Sequence, residues 1–386
     1  MHNKITFPVG YHAYNKQQVF NYQLNRWHSV GMARHEDCVE AGKQIHVFGD
    51  WKTVLLQYAK TAEQENRLLN AAIYYRAAEF YTMHDPESKA SIYRKFIQLF
   101  YEAVKGESFV REFVPYETGK LPIIRFFAEG KAKGTILLHA GFDSFLEEWL
   151  FIMMALSQSG YDVIGFEGPG QGHMLIEQGV SLDYRWERPV ACILDYYTIA
   201  EASIFGFSMG GWFAMRASAN EPRIKNTIVS GHAVDYSRIP PKFMRDMMMF
   251  FIKHMRDYTA KSFEATSHKE GINGWQTYQL ANITKRSPLE AFEYALGMNA
   301  ENLGSSNVTQ NVLYLTGSED HFVPMKMHDW QISLLNNCKS LTDHVFTKET
   351  QAQNHCMVGN IGLMVQEITS WLNSFSGQTP FAPTLK

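Results

Sequence analysis

The sequence lacks the features that mark several classes of protein. Its four cysteines (Cys38, Cys192, Cys338 and Cys356) form no C-x-x-C pair, so neither a zinc site nor a disulfide framework is predicted. No stretch approaches ~18 uninterrupted apolar residues, and residues 1–5 lack the charged-then-apolar run of a signal peptide. We therefore expect a cytoplasmic protein that neither spans nor binds a membrane.

A surplus of charge of one sign is also lacking. The 386 residues include 36 Lys and Arg against 39 Asp and Glu, which leaves a net charge of −3. Proteins that bind nucleic acids or membrane surfaces usually carry a basic excess, so we expect no nucleic-acid partner. Hydrophobic residues make up 45% of the chain, which is typical of a globular protein with a large core.

Residues 1–107 are predicted to form a helical region without a catalytic pattern. Asp85-Pro86 separates two segments in which apolar residues recur at helical spacing. These residues are Leu69, Ile73, Ala77 and Phe80 before the break, and Ile92, Phe96, Leu99 and Ala103 after it. The spacing predicts two amphipathic helices that form an antiparallel hairpin.

From residue 108 the pattern changes to short apolar segments that alternate with helices. Strands are predicted at 108–116 and 121–127 around a turn at 117–120, and then at 135–139, 163–166, 202–205, 227–230 and 312–315. This alternation predicts an α/β fold with a mostly parallel sheet, covered by helices on both faces. Ligands bind at the carboxyl ends of the strands in such sheets.

The alternation of strands stops between residues 233 and 305, so the core is divided into residues 108–232 and 306–386. The interruption contains the apolar run 247–252 and a helix start at Ser287-Pro288-Leu289-Glu290, a capping box with proline at the first position. It is predicted to be a helical lid, with Met248 and Phe251 as candidate substrate contacts. A packing subdomain without a functional contact is the alternative.

The motif that carries chemistry is G-x-S-x-G at residues 206–210, between an apolar strand and a helix. A serine on such a tight turn has strained backbone angles, and side chains at the flanking glycines would collide with neighbouring backbone. The turn lifts the hydroxyl above the sheet, and the helix N-terminus behind it favours developing negative charge. Ser208 is therefore the predicted nucleophile.

A serine nucleophile needs a base, and the base needs an orienting acid, in the chain order Ser, Asp or Glu, His. Asp320 follows the strand at 312–315 and is the preferred acid, with Glu319 as its competitor. His355, in the loop before the last helix, is the predicted base. Cys356 beside it is interpreted as a packing residue, because Ser208 already occupies the nucleophile position.

The tetrahedral oxyanion needs hydrogen-bond donors. The backbone N–H of Met209, directly after the nucleophile, is one candidate, and the N–H of Phe142, after the strand at 135–139, is the other. His139 and Asp143 flank this loop as candidate substrate contacts, although hydrogen bonds that stabilise the loop are the favoured interpretation. Residues 167–172 do not match G-x-G-x-x-G and are interpreted as a turn at the pocket rim.

The strand–elbow–helix unit with Asp320 and His355 resembles the α/β-hydrolase superfamily from about residue 134 onward. The segments 140–144, 147–149 and 166–172 resemble a subgroup with a helical N-terminal region. This subgroup includes dihydroxypseudooxynicotine hydrolases, fungal polyketide-shortening hydrolases and the chain-shortening lyases of bacterial anthraquinone biosynthesis. Glu167 is a departure, since aspartate is more frequent there in the subgroup, and the role of this carboxylate is left open.

The resemblance implies retro-Claisen cleavage of a carbon–carbon bond in a β-dicarbonyl polyketide chain, with an acyl-enzyme intermediate and no cofactor or metal. An esterase or thioesterase would use the same triad. A non-catalytic binding module on a hydrolase fold is the remote alternative.

Partners other than the small-molecule substrate stay open. An acyl carrier protein could deliver the substrate to a basic surface at the front of the insertion, where a solvated helix face is the competing interpretation. The residues concerned are Arg238, Lys242, Arg245, Lys253 and Arg256. A homodimer is also left open.

Overall fold

The computed structural model describes residues 5–117 and 119–375, so residues 1–4 and Thr118 of the predicted turn lie outside the described residues. Within these ranges, each helix is too short or too polar to cross a bilayer. The predicted cytoplasmic location stays a prediction.

Between residues 5 and 107, the structure contains five α-helices: α1 (Gln18–Ser29), α2 (His35–Gln44), α3 (Phe48–Gln64), α4 (Leu68–Phe80) and α5 (Pro86–Ala103). The predicted pair corresponds to α4 and α5, which pack against each other. At the break, the Asp85 carboxylate accepts a hydrogen bond from the N–H of Ser88 at 3.0 Å, and Pro86 is the first helical residue.

The prediction that α4 is amphipathic is wrong. It is buried on every side from residue 71 to residue 80, because α3 and α5 flank it and the core lies beneath it.

An eight-stranded sheet follows: β1 (Val110–Tyr116), β2 (Gly119–Phe126), β3 (Thr135–His139), β4 (Asp162–Phe166), β5 (Ala202–Phe207), β6 (Ile224–Ser230), β7 (Asn311–Gly317) and β8 (Ser340–Phe346). The strand order is β1-β2-β4-β3-β5-β6-β7-β8. β2 pairs antiparallel with β1 and β4, and the remaining pairs are parallel, which confirms the mostly parallel sheet.

Successive residues of the central strand β3 point to opposite faces of the sheet, as a strand geometry requires. Ile136 and Leu138 pack into the half of the core that contains the N-terminal helices, whereas Leu137 packs into the other half. The first half also contains α6 (Leu150–Gln158), and the second contains α7 (Gly172–Ile176), α8 (Glu187–Tyr196) and α9 (Met209–Asn220). The helical region is therefore part of the core.

The insertion between β6 and β7 consists of α10 (Lys242–His254), α11 (Arg256–Ser267), α12 (Ile272–Thr284), α13 (Pro288–Ala295) and α14 (Ala300–Leu303). The predicted capping box is present, since the N–H of Ser287 donates to the Glu290 carboxylate at 3.2 Å. The indole N–H of Trp275 donates to the carbonyl of Phe80 at 2.8 Å, and the two rings stack. The insertion thus packs directly on the N-terminal helices.

After β7 the chain continues through α15 (Met325–Leu334), β8 and α16 (Ile361–Asn373). The loops after β3, β5, β6 and β7 all lie at the carboxyl edge of the parallel strands. This edge is where the predicted catalytic residues meet.

Candidate active site

Ser208 lies at the turn between β5 and α9 with φ 54° and ψ −127°, a strained backbone conformation for a residue with a side chain. A Cβ atom at Gly206 would lie 2.1 Å from the carbonyl oxygen of Gly210, and one at Gly210 would lie 2.7 Å from that of Ala140. The two glycines therefore permit the turn. The N–H of Ser208 donates to the carbonyl of Ser230 on the neighbouring strand at 2.7 Å, which holds the elbow to the sheet.

The structure brings the three predicted triad residues together in one chain of hydrogen bonds. Nε2 of His355 lies 2.9 Å from Oγ of Ser208, and Nδ1 lies 2.6 Å from Oδ2 of Asp320. Because a carboxylate only accepts, Nδ1 carries a proton, and in the neutral ring Nε2 is free to take the one from the serine. This is the geometry that a serine nucleophile and its general base require.

Asp320 is fixed by the backbone of its own loop. Its Oδ1 accepts hydrogen bonds from the N–H groups of Phe322 and Val323, both at 2.8 Å, so that Oδ2 faces the imidazole. Glu319 instead extends to the surface and pairs with Lys348 at 2.8 Å. Burial lowers the pKa of His355, but the charge of Asp320, with smaller contributions from Cys356, outweighs it and raises the pKa above its usual value.

Cys356 follows the base on a backbone with φ 53°. Its thiol lies 3.8 Å from the carbonyl oxygen of Ser230, and the residue is buried. The side chain is thus packed against the end of β6, at the wall of the cavity that contains Ser208.

The two candidate oxyanion donors lie on loops that touch each other. A Cβ atom at Gly141 would lie 2.6 Å from the backbone nitrogen of Met209. Among residues 5–117 and 119–375, neither the N–H of Met209 nor that of Phe142 has an acceptor, and both residues line the cavity. Met209 is also the first residue of α9, where the helix dipole favours negative charge. Both amides are available to a bound oxyanion.

Gln171 supports residues 140–144, the loop that carries the N–H of Phe142 (the oxyanion loop). Its side-chain NH2 donates to the carbonyl oxygens of Ala140 at 2.7 Å and Gly141 at 3.3 Å, and its Oε1 accepts from the N–H of Gly168 at 3.1 Å. Because these bonds fix the two carbonyls that precede Phe142, they also orient its N–H. The interpretation of residues 167–172 as a rim turn did not include this role.

His139 and Asp143 lie outside the cavity wall. His139 is fully buried among the rings of Phe166, Trp186 and Phe213, and burial lowers its pKa to about 3. The backbone carbonyl of Asp143 accepts a hydrogen bond from Arg76, and burial raises the pKa of its carboxyl group. The hydrogen bond to Arg76 fits the loop-stabilising interpretation for Asp143. His139 instead packs against aromatic rings, and within the described residues its ring nitrogens have no hydrogen-bond partner.

Glu167 connects two loops beneath the site. Its Oε1 accepts from the N–H of Leu146 at 2.9 Å and its Oε2 from that of His173 at 2.7 Å. Burial, together with the nearby Glu147 carboxyl, raises the pKa of Glu167 to about 8. A Cβ atom at Gly172, where φ is 33°, would lie 1.9 Å from the Glu167 carboxylate, so glycine is required there.

A buried ion-pair network, which the sequence analysis missed, joins the N-terminal helices to the oxyanion loop. The Glu148 carboxylate pairs with Nη2 of Arg26 at 2.6 Å and with Nε of Arg76 at 2.8 Å. Arg76 also donates to the carbonyl of Asp143 at 2.6 Å and pairs with Glu79, which Lys89 contacts at 2.6 Å. The sequence feature that could have indicated this network is the pair Arg76 and Glu79, three residues apart within the otherwise apolar α4.

The predicted catalytic residues open into a cavity of about 330 Å³. The helical region, the core and the insertion all contribute to its walls. The lining residues include Arg26 and Phe80 from the helical region, Trp149 and Phe207 from the core, and Trp275 and Phe292 from the insertion. Met248 and Phe251 are half-buried on α10 and are not brought to this cavity.

No family model matches the chain. Hydrolase acrC from Aspergillus aculeatus is 27% identical over 267 residues, which span 59% of this chain and 59% of that protein. The 20-hydroxy-prefusarin hydrolase FUS2 from Gibberella moniliformis is 34% identical over 208 residues, 46% of this chain and 48% of that protein. The chain thus spans about half to three fifths of the length of these curated relatives.

A solved structure covers nearly the whole chain. The crystal structure of the 2,6-dihydroxy-pseudo-oxynicotine hydrolase matches 94% of this chain and 98% of that chain, with a TM-score of 0.68 and 19% identity. At this identity the likeness establishes a shared fold, which includes the N-terminal helices as well as the sheet.

Proposed function

We propose that this chain, whose fold is that of the α/β-hydrolases, is a serine-dependent enzyme that cleaves a carbon–carbon bond of a β-dicarbonyl compound. The substrate class is a polyketide chain of aromatic, anthraquinone-type biosynthesis, and the reaction is a retro-Claisen cleavage. The observation that carries the proposal is the hydrogen-bonded series Asp320–His355–Ser208 at the wall of a covered, largely apolar cavity.

In the proposed mechanism, Oγ of Ser208 attacks a ketone carbon while Nε2 of His355 takes the hydroxyl proton. The N–H groups of Met209 and Phe142 hold the resulting oxyanion, and each such donor is typically worth about 3 kcal/mol of barrier. Collapse breaks the carbon–carbon bond, and the bonding electron pair leaves as an enolate. The imidazolium of His355 protonates the enolate carbon, and water then hydrolyses the acyl-enzyme.

An enolate is a feasible leaving group only when a second carbonyl delocalises its charge, and the cavity offers a polar wall for that carbonyl. Tyr22, Gln23 and Arg26 lie on one face of α1 and line the same cavity as Ser208. The guanidinium of Arg26 is almost fully buried and donates to Oε1 of Gln23 at 3.3 Å as well as to Glu148. A buried cation at this position favours a substrate oxygen that becomes negative during the reaction.

The names of similar proteins support the coarser part of the proposal, a hydrolase. FUS2 is named a hydrolase of 20-hydroxy-prefusarin, and the structural neighbour is named a hydrolase of 2,6-dihydroxy-pseudo-oxynicotine.

Delivery of the substrate by an acyl carrier protein is a further part of the proposal. Most cations of the basic surface at the front of the insertion are already paired. Lys242 and Arg245 pair with Asp246, at 2.5 and 3.0 Å, and Arg256 pairs with Glu293. Lys253 is exposed on α10, the helix that carries Lys242 and Arg245. Affinity for a loaded carrier protein should therefore fall in Lys253→Glu, with turnover of a free substrate unchanged.

The experiment that tests the function offers an aromatic β-diketone chain, and separately a simple ester and thioester, to the purified chain in D2O. Carbon–carbon cleavage yields two fragments, with deuterium on the carbon of the leaving fragment when measured before enolisation exchanges it. Ester or thioester hydrolysis with the diketone returned uncut would favour an esterase or thioesterase.

A fluorophosphonate probe separates both enzymes from a non-catalytic module. The probe should label the native chain at Ser208, and Ser208→Ala is the matched control. A native chain that resists labelling would rule out an active serine nucleophile.

A further inference from the structure

Three histidines from separate segments converge in the N-terminal region. His12 precedes α1, His28 lies at the end of α1, and His35 is the first residue of α2. One ring nitrogen from each lies within 4.8 Å of those of the other two. The ring centroids are 5.4 Å apart for His12 and His28, 4.7 Å for His12 and His35, and 5.6 Å for His28 and His35.

The hydrogen bond of the His28 ring leaves its second nitrogen free, and that of the His35 ring does so when the Tyr14 hydroxyl accepts. Nδ1 of His28 lies 3.0 Å from the carbonyl oxygen of Ala33, which can only accept, so Nδ1 carries the proton and Nε2 keeps its lone pair. Nδ1 of His35 lies 2.9 Å from the hydroxyl of Tyr14. A proton on this Nδ1 likewise leaves Nε2 of His35 as a ligand. Metal-binding histidines characteristically donate their other N–H in this way.

The cluster stands on a fixed backbone. The buried side chain of Asn25 accepts from the N–H of His12 at 2.7 Å and donates to its carbonyl at 2.8 Å. This pairing fixes the backbone of His12 against α1.

We propose that His12, His28 and His35 bind a divalent transition-metal ion, with Zn²⁺ as the best-suited ion. Three imidazoles are a ligand set that suits zinc, and the fourth tetrahedral position is left for water. The ion would cross-link the segment before α1 to both α1 and α2. Since α1 also carries Tyr22 and Arg26, the site stabilises the helix that forms the polar wall of the cavity.

The test uses the full chain, stripped with a chelator and titrated with ZnCl2 in an isothermal calorimeter. We expect one ion per chain and a Tm that rises with zinc concentration, because the ion binds the folded state. His35→Gln, at the most exposed of the three positions, should fold normally and weaken zinc binding by at least about tenfold. His12→Gln should do the same.

The matched control is His268→Gln. His268 is exposed and stacks on His84 with ring centroids 4.1 Å apart, but it belongs to a pair and not to the three-histidine cluster. This variant should keep the native zinc affinity and Tm response. A native chain without saturable zinc binding, or zinc binding that is equal in His35→Gln, His12→Gln and His268→Gln, would overturn the proposal.

Discussion

The loops at the sheet edge and the N-terminal helices both build the candidate active site, but they do so by different physical means. At the sheet edge, backbone geometry positions each reacting group: a strained turn carries Ser208, and two N–H groups orient Asp320. In the helical region, long side chains reach the site through buried ion pairs, as Arg26 and Arg76 do at Glu148. The first arrangement is local in sequence, whereas the second joins residues more than 70 positions apart.

The largest expected effect is on the sheet-edge side. Ser208→Ala and His355→Ala should each lower kcat by about 10⁶, and the double variant should lose little more, because triad members act as one unit. The measurement is single-turnover kinetics, with Tm as the check that the fold is kept. Losses that add in the double variant would contradict the triad.

Asp320→Asn should lower kcat by about 10⁴, because the imidazole loses its orienting carboxylate. Glu319→Gln, the neighbouring control, should retain most activity. Because Asp320 raises the pKa of His355 and the base works in its neutral form, kcat/KM of the native enzyme should rise with pH above the usual histidine range. In Asp320→Asn that rise should move to lower pH. The reverse ranking of the two variants would transfer the role to Glu319.

On the helical side, Arg76→Met should lower the free energy of unfolding by about 3–5 kcal/mol, because it leaves Glu148 and Glu79 buried with fewer partners. Arg94→Met is the matched control, since Arg94 pairs with Glu177 at 2.9 Å on an exposed surface. There the loss should be much smaller, because water screens an exposed ion pair. Urea denaturation of both variants measures the difference. Equal losses would mean that the network adds nothing beyond a surface pair.

Gln171→Leu tests the connection between the two arrangements, because it releases the carbonyls of Ala140 and Gly141 and so loosens Phe142. We expect kcat to fall by about 10–100-fold with little change in KM, since the affected N–H acts on the transition state. A change in Tm with unchanged kcat would restrict Gln171 to a structural role.

The smallest effects concern the insertion. Phe292→Ala, at the cavity wall, should change kcat/KM for a large aromatic substrate by about tenfold, and less for a small activated ester. Met248→Ala and Phe251→Ala should change both substrates by less than about twofold, because neither side chain reaches the cavity. Selective loss of the large substrate in Met248→Ala would restore the predicted contact and indicate that α10 moves.

Sequence alone was sufficient for what depends on neighbouring residues. The approximate positions of the strands, the elbow at 206–210, the order Ser208–Asp320–His355 and the capping box at Ser287 each follow from a short sequence pattern, whereas several strand ends differ from the prediction by two or three residues. The network around Glu148 was not predictable in this way, because the apolar spacing predicts an amphipathic α4 and no sequence motif marks Arg76 as buried. Whether a charged side chain is buried depends on which helices flank it, and that is set by distant parts of the chain.

The balance of buried charges also limits how this molecule can change by recombination. The helical region provides Arg26, Arg76 and Lys89 together with Glu79, and the core provides Asp143 and Glu148, so the positive and negative groups match only when both regions are present. A chimaera that takes residues 5–103 from a relative with different charges inherits an unpaired carboxylate directly behind its oxyanion loop. The two regions must therefore be inherited together, although only one of them carries the reacting groups.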